Sequence, residues 1–152
     1  NIASIEMIEA VGENYLDKYF GTIKNSLKSN GTAAIQGITI SDNLFERYRR
    51  MEDFIQKYIF PGGLLPSEKF MKQLIKKHNL SLDKINTYSD DYAKTLNIWK
   101  SNFLNAWKNI SPLGFDEAFK SMWEFYLSYC EAGFKSKNIN LIQFSMSNNQ
   151  SV

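Results

Sequence analysis

The chain has 152 residues, 43% of them hydrophobic, and a net charge of +2 from 18 basic and 16 acidic side chains. That is the length of one ordinary domain, and the near-neutral balance argues against a dedicated nucleic-acid binder, which carries a clear basic excess. The single cysteine, Cys130, excludes an internal disulfide and a cysteine-based metal site, and no run approaches the roughly 18 apolar residues of a membrane span.

No signal peptide is visible, and a reducing cytoplasm accords with the cysteine usage. The chain has no initiator Met and enters an apolar run at once, which reads as a piece of a longer protein. Ile2 to Ile8 is nearly continuous and apolar, the pattern of a strand buried on both faces. Gly12 and Asn14 punctuate it, and Tyr15, Tyr19, Ile23 and Leu27 then recur at helical spacing. "KSNG", Lys28 to Gly31, stops that helix. "TAAIQGITI", Thr32 to Ile40, is a second strand rich in β-branched residues. Strand, helix and strand with short links make a βαβ unit, hence a parallel sheet.

Ser41 and Asp42 are placed to cap "NLFERYRRMEDFIQKYIF", whose irregular apolar spacing predicts a broken helix. "PGGLLP", Pro61 to Pro66, is a rigid turn, and Ser67 starts a helix with Phe70, Leu74 and Ile75 on its apolar face. "LSLDKINTY" alternates as a third strand. One aromatic stripe follows at Tyr92, Leu96, Trp99, Phe103 and Trp107. A second runs through Phe119, Met122, Trp123, Tyr126, Leu127, Cys130 and Phe134. "NLIQFSMS", Asn140 to Ser147, closes as a last strand, and 148–152 reads as a frayed tail. The order β-α-β-α-α-β-α-α-β is α/β, yet no G-x-G-x-x-G loop is present. Because the nucleotide-binding half of such folds usually comes first, the chain reads as the second half of a doubly wound, Rossmann-like sheet.

Five segments in order, "SIEMIEAVG", "DFIQKYIFPGGLLPS", "DDYAKTLNIWKSNFL", "LGFDEAFKSMWEFYLSYCEAGF" and "NLIQF", together resemble the C-terminal half of cyclopropane-fatty-acyl-phospholipid synthases and their methyltransferase relatives. The resemblance runs from about Ile2 to Met146. It implies residues 1–147 of a class I S-adenosylmethionine-dependent methyltransferase domain, contributing strands four to seven. The last strand would be antiparallel and inserted between the fifth and sixth, and the half that binds S-adenosylmethionine would lie upstream. It further implies methyl transfer to a cis double bond of an unsaturated phospholipid acyl chain. A proton then leaves the new methyl group, with a bound bicarbonate as base. The positions matching the bicarbonate cage are Glu9, Gln36, Ile38 and Tyr92, of which Glu9 and Tyr92 would be catalytic. No cofactor-binding residue is assigned in this chain. Gln36 stands where many members have His, and an amide cannot take a proton at neutral pH, so a relay at this position is in doubt.

Each of these residues also has a plainer reading. Glu9 would equally suit the start of the following helix, whose N-terminus favours a carboxylate, and Tyr92 would equally open a core stripe. "IFPGG" could shape an acyl pocket or be a turn. Arg47, Arg49 and Arg50 could meet lipid phosphate or a solvated face, and His78 reads as a surface residue. Glu6 is expected to meet a structural partner or face a cavity. Two functions remain open. One is a cyclopropane synthase, or a related enzyme leaving methylene or methyl branches, peripheral to the cytoplasmic membrane face. The other is an inactive fragment acting as an interaction domain, which would not bind S-adenosylmethionine by itself and would self-associate through an unpaired first strand.

Overall fold

Alternating small and β-branched residues in Thr32–Ile40 form the strand β2, with Ala33, Ile35 and Thr39 buried. A computed structural model describes residues 1–148. Its other strands are β1 (Ile2–Ile5), β3 (Ser81–Thr87) and β4 (Ile139–Ser147), and the sheet order is β1-β2-β4-β3. β1 and β2 pair in parallel through the connecting helix α1 (Glu13–Ser26), as the βαβ reading requires. β3 and β4 pair antiparallel, and β4 lies between β2 and β3. This is the topology expected for the C-terminal half of a class I methyltransferase sheet.

The chain divides into two units, one from Asn1–Thr87 together with the residues from Asn140 onward, and one at Tyr88–Ile139. In the first, α1 buries Leu16, Tyr19, Phe20 and Ile23 at i, i+3, i+4 spacing. The helix α4 (Glu68–Lys77) buries Met71, Leu74 and Ile75. Ile35, Ile142 and Met146 of the sheet are buried in the same unit, each such burial stabilising by about 1.5–3 kcal/mol.

Ser67 caps α4 by accepting from the Phe70 N–H at 3.2 Å, and Asp42 accepts from the Lys69 N–H at 3.0 Å. Asp42 therefore caps α4, not the helix that it begins. The predicted broken helix is two pieces, α2 (Asp42–Tyr48) and α3 (Phe54–Tyr58). The second begins with a reciprocal box in which Gln56 N–H donates to Asp53 at 2.9 Å and Asp53 N–H donates back to Gln56 at 3.0 Å.

Four expectations are corrected in this unit. The first strand ends at Ile5, not Ile8, because Glu6 turns into the left-handed region at φ +52° and a 3-10 turn covers Ile8–Ala10. That strand is not buried on both faces: it stands at the end of the sheet formed by the described residues, and Ile5 is 68% exposed. His78 is half-buried, its Nε2 lying 2.9 Å from Asp17 Oδ1, and its ring fits against Gly21, where a Cβ would come within 3.1 Å of Cε1. Asn148 is held in place: its N–H donates to Gly31 O at 2.9 Å and its side-chain amide to Leu27 O at 3.2 Å. The rest of the expected tail, 149–152, lies outside the described residues.

The second unit consists of α5 (Ser89–Ile110) and α6 (Glu117–Lys135). Their cross-contacts run Tyr92 to Phe134, Asn97 to Glu131, and Trp107 to Glu117, so the helices are antiparallel. Pro112 and Gly114, at φ +102°, turn the chain between them, and Asp116 caps α6 by accepting from Phe119 N–H at 2.8 Å. Cys130 is half-buried here.

Glu131 is only 6% exposed. It accepts from Lys135 at 2.5 Å, Asn97 at 3.2 Å and Lys100 at 3.4 Å. The hydrogen bond from Lys135 holds its carboxyl below the ordinary range. Burial opposes that, and Asn97 and Lys100 reinforce it. Since the folded value is depressed, this contribution is present above the unfolded value and is lost as pH falls through the folded one. Glu131→Ala is expected to cost about 2–3 kcal/mol in urea unfolding at neutral pH, and its deficit should shrink as the buffer is taken below the carboxylate range.

Candidate active site

Glu9 is delivered by the short turn that follows β1. Ile8 plugs the core at 1% exposure, which directs the next side chain to the carboxyl end of β2. There Glu9 Oε1 accepts the backbone N–H of Ile38. This approach requires the glycine between the two strand residues: a Cβ on Gly37 would stand 2.4 Å from Ile8 Cγ2 and 3.2 Å from Glu9 Oε1. A lone Gly inside a β-branched strand signals such close approach, and it is the mark that sequence reasoning passed over.

The second oxygen, Glu9 Oε2, is buried with no protein partner. Burial pushes the Glu9 carboxyl above the ordinary range. The N–H groups of Ile38 and of Glu9 itself pull the other way without reversing it, and the nearby charge of Glu6 adds to the rise. Because Oε1 is occupied as an acceptor, a proton on this carboxyl belongs on Oε2. The group can thus alternate between donor and acceptor at one fixed atom.

The "PGGLLP" loop seats against the same turn. Leu64 N–H donates to Glu9 O at 2.9 Å, and Gly63 packs close enough that a Cβ would lie 3.5 Å from that oxygen. Gln56 fixes the loop by donating to Gly63 O at 3.0 Å. Tyr19 supports β1 from below through a 2.9 Å hydrogen bond to Ser4 Oγ. Its phenol is shifted upward by burial and by the Glu9 charge, with the Ser4 bond opposing.

Glu9 and the Ile38 main chain are therefore brought together. The Gln36 amide, two residues earlier on β2, engages Glu6 at 2.9 Å and Gln143 at 2.7 Å. Tyr92 belongs to the second unit, in the first turns of α5, with its ring edge-on to Phe134 at 4.8 Å and to Trp99 at 6.1 Å. Arg49 is committed to structure: it pairs with Glu13 and Glu46 and lies over the rings of Phe45 and Phe70.

The chain is similar to several known proteins. The mycolic acid cyclopropane synthetase family matches residues 1–144. The chain is 38% identical over 147 residues to the tuberculostearic acid methyltransferase of Mycobacterium tuberculosis, spanning 96% of this chain and 34% of that protein. It is 34% identical over 142 residues to the cyclopropane-fatty-acyl-phospholipid synthase of Escherichia coli, spanning 93% of this chain and 36% of that protein. A solved cyclopropane synthase from Mycobacterium tuberculosis superposes with a TM-score of 0.85 at 21% identity, over 95% of this chain and 54% of that one. A mycolic acid cyclopropane synthase complexed with SAH and CTAB superposes with the same score at 25% identity and the same coverage. The chain thus spans about a third of the length of these relatives and about half of each solved chain. Matched along almost all of its length, it belongs to the mycolic acid cyclopropane synthetase family.

Proposed function

We propose that this chain is the half carrying the catalytic carboxylate of an S-adenosylmethionine-dependent methyltransferase that alkylates a cis double bond of a phospholipid acyl chain. The reading rests above all on the buried Glu9 carboxyl, anchored through one oxygen to Ile38 N–H and without a hydrogen-bond partner at the other. Bound S-adenosylmethionine supplies an electrophilic methyl group. Transfer of that methyl to an alkene would leave positive charge on the acyl chain, which a nearby anion in a dry site would stabilise. Closing a cyclopropane ring then requires a proton to leave the transferred methyl.

The unpaired Oε2 suits an anionic base such as bicarbonate only when Glu9 carries the proton, since two unprotonated anions would repel. Burial favours that protonated form. In this reading Glu9 donates from Oε2 to the base and orients it, and the Gln36 amide supplies a further N–H. Work on a membrane lipid implies association with the membrane surface. No described helix is long and apolar enough to cross a membrane.

A second product class rests on one observation: the 38% identity to a tuberculostearic acid methyltransferase exceeds the 34% to a cyclopropane synthase. In that case the same alkylation, followed by a hydride shift and loss of a proton from the new methyl, leaves an exomethylene branch, which a separate hydride donor must reduce to give a methyl branch. Expression of the full-length protein in cells rich in unsaturated phospholipid, followed by proton NMR of the extracted acyl chains, separates the outcomes. Cyclopropane protons support the first reading and branch-methyl or exomethylene signals the second. Unchanged acyl chains, with the protein folded and present, would refute both.

A further inference from the structure

A polar chain crosses three strands beside the Glu9 turn. Gln143 on β4 donates from Nε2 to Gln36 Oε1 at 2.7 Å, and Gln36 on β2 donates from Nε2 to Glu6 Oε1 at 2.9 Å. Glu6 sits just past β1 and returns the contact through its main chain, its N–H donating to Gln36 O at 3.0 Å. It does so from φ +52°, a conformation that a non-glycine residue adopts only against a steric penalty. The reciprocal bonds to Gln36 hold it there.

The chemistry fixes the direction of this chain. An ionised carboxylate only accepts, so Gln36 must present its nitrogen to Glu6. Its oxygen then faces β4, and Gln143 must present a nitrogen to it. One N–H of Gln36 remains uncommitted, two residues before the N–H that anchors Glu9. A neutral imidazole in this place would spend its one donor and its one acceptor on Glu6 and Gln143, leaving nothing for a ligand.

We propose that Glu6 and Gln143 are positioning residues that lock the Gln36 amide with its nitrogen turned away from β4, making its spare N–H a fixed donor for an anionic or oxygen-bearing ligand of the Glu9 site. This role rests on the functional reading above. The lock itself does not, and it is visible in the chain alone. Nitrogen–proton NMR of the 152-residue chain should show the Gln36 side-chain amide protected from exchange. That protection should be lost in Gln143→Leu and in Glu6→Leu but kept in Glu6→Gln, whose side-chain oxygen still accepts. In the full-length protein, Gln143→Leu should lower kcat by about 10- to 100-fold with KM and the melting midpoint little changed, and Glu6→Gln should retain most activity.

A Gln36 amide exchanging as freely as an exposed glutamine would overturn the lock, whatever Glu9 does. A protected amide with unaltered kcat in Gln143→Leu, while Glu9→Gln abolishes turnover, would overturn the positioning role. Unaltered turnover in Glu9→Gln would instead overturn the functional reading, and the ligand-donor role with it.

Discussion

Glu9→Gln is expected to lower turnover of the full-length protein by about 100- to 10,000-fold while making the fold more stable. The loss follows from the proton: an amide at this position still accepts from Ile38 N–H, but its other end no longer alternates between donor and acceptor. The gain follows from burial. The folded Glu9 carboxyl titrates above its unfolded value. Between those two values the folded state therefore binds more protons than the unfolded state, so stability falls as pH rises through that window and stays reduced above it. Removing the charge lifts that penalty, by about 0.5–2 kcal/mol. Urea unfolding of the 152-residue chain should show the variant ahead at neutral pH and the advantage closing as pH falls into the carboxylate range. A variant that is less stable at neutral pH would show that Glu9 contributes to the fold and does not strain it.

Gly37→Ala should be nearly as damaging, by a different route. Its Cβ would stand 2.4 Å from Ile8 Cγ2, far inside contact distance, and Ile8 is too deeply buried to swing aside. Either β2 moves or the turn carrying Glu9 moves. Overpacking of this kind costs about 1–3 kcal/mol, and a displaced carboxyl should cost turnover about 100-fold. The steric origin is checked by a double-mutant cycle. Ile8→Ala removes the clashing methyl, so the stability cost of Gly37→Ala should be smaller in the Ile8→Ala background than in the native one. Equal costs in both backgrounds would remove the steric explanation.

The element order was legible in the residue patterns, and the sheet order followed from the family resemblance, which implied an antiparallel last strand inserted between its neighbours. Thr32–Ile40 and Ser81–Thr87 carry strand patterns that need no tertiary help. The family resemblance implied Glu9, Gln36, Ile38 and Tyr92 as site residues, and the structure brings Glu9 and the Ile38 main chain together. What stayed hidden depended on contacts between distant residues. Ile2 to Ile8 is apolar enough for a longer strand, and only the mutual bonds of Glu6 and Gln36 end it at Ile5. His78 looks solvent-exposed in "KKHN", but Gly21 and Asp17 on α1 receive it. Lys135 stands at i+4 from Glu131 and hints at their pairing, whereas Asn97 and Lys100 come from the other helix. The open oxygen of Glu9 exists only because Gly37 lets the other oxygen reach the backbone, a relation no spacing rule expresses.

The most direct test of the account follows the proton. Purified full-length protein should be given unsaturated phospholipid vesicles and S-adenosylmethionine tritiated in its methyl group, and tritium counted in lipid and in water. The account predicts label in the acyl chains together with release of tritium to water in step with product, and loss of that release in Glu9→Gln. Methyl transfer that retains all its tritium, or release that is equal in Glu9→Gln, would contradict it.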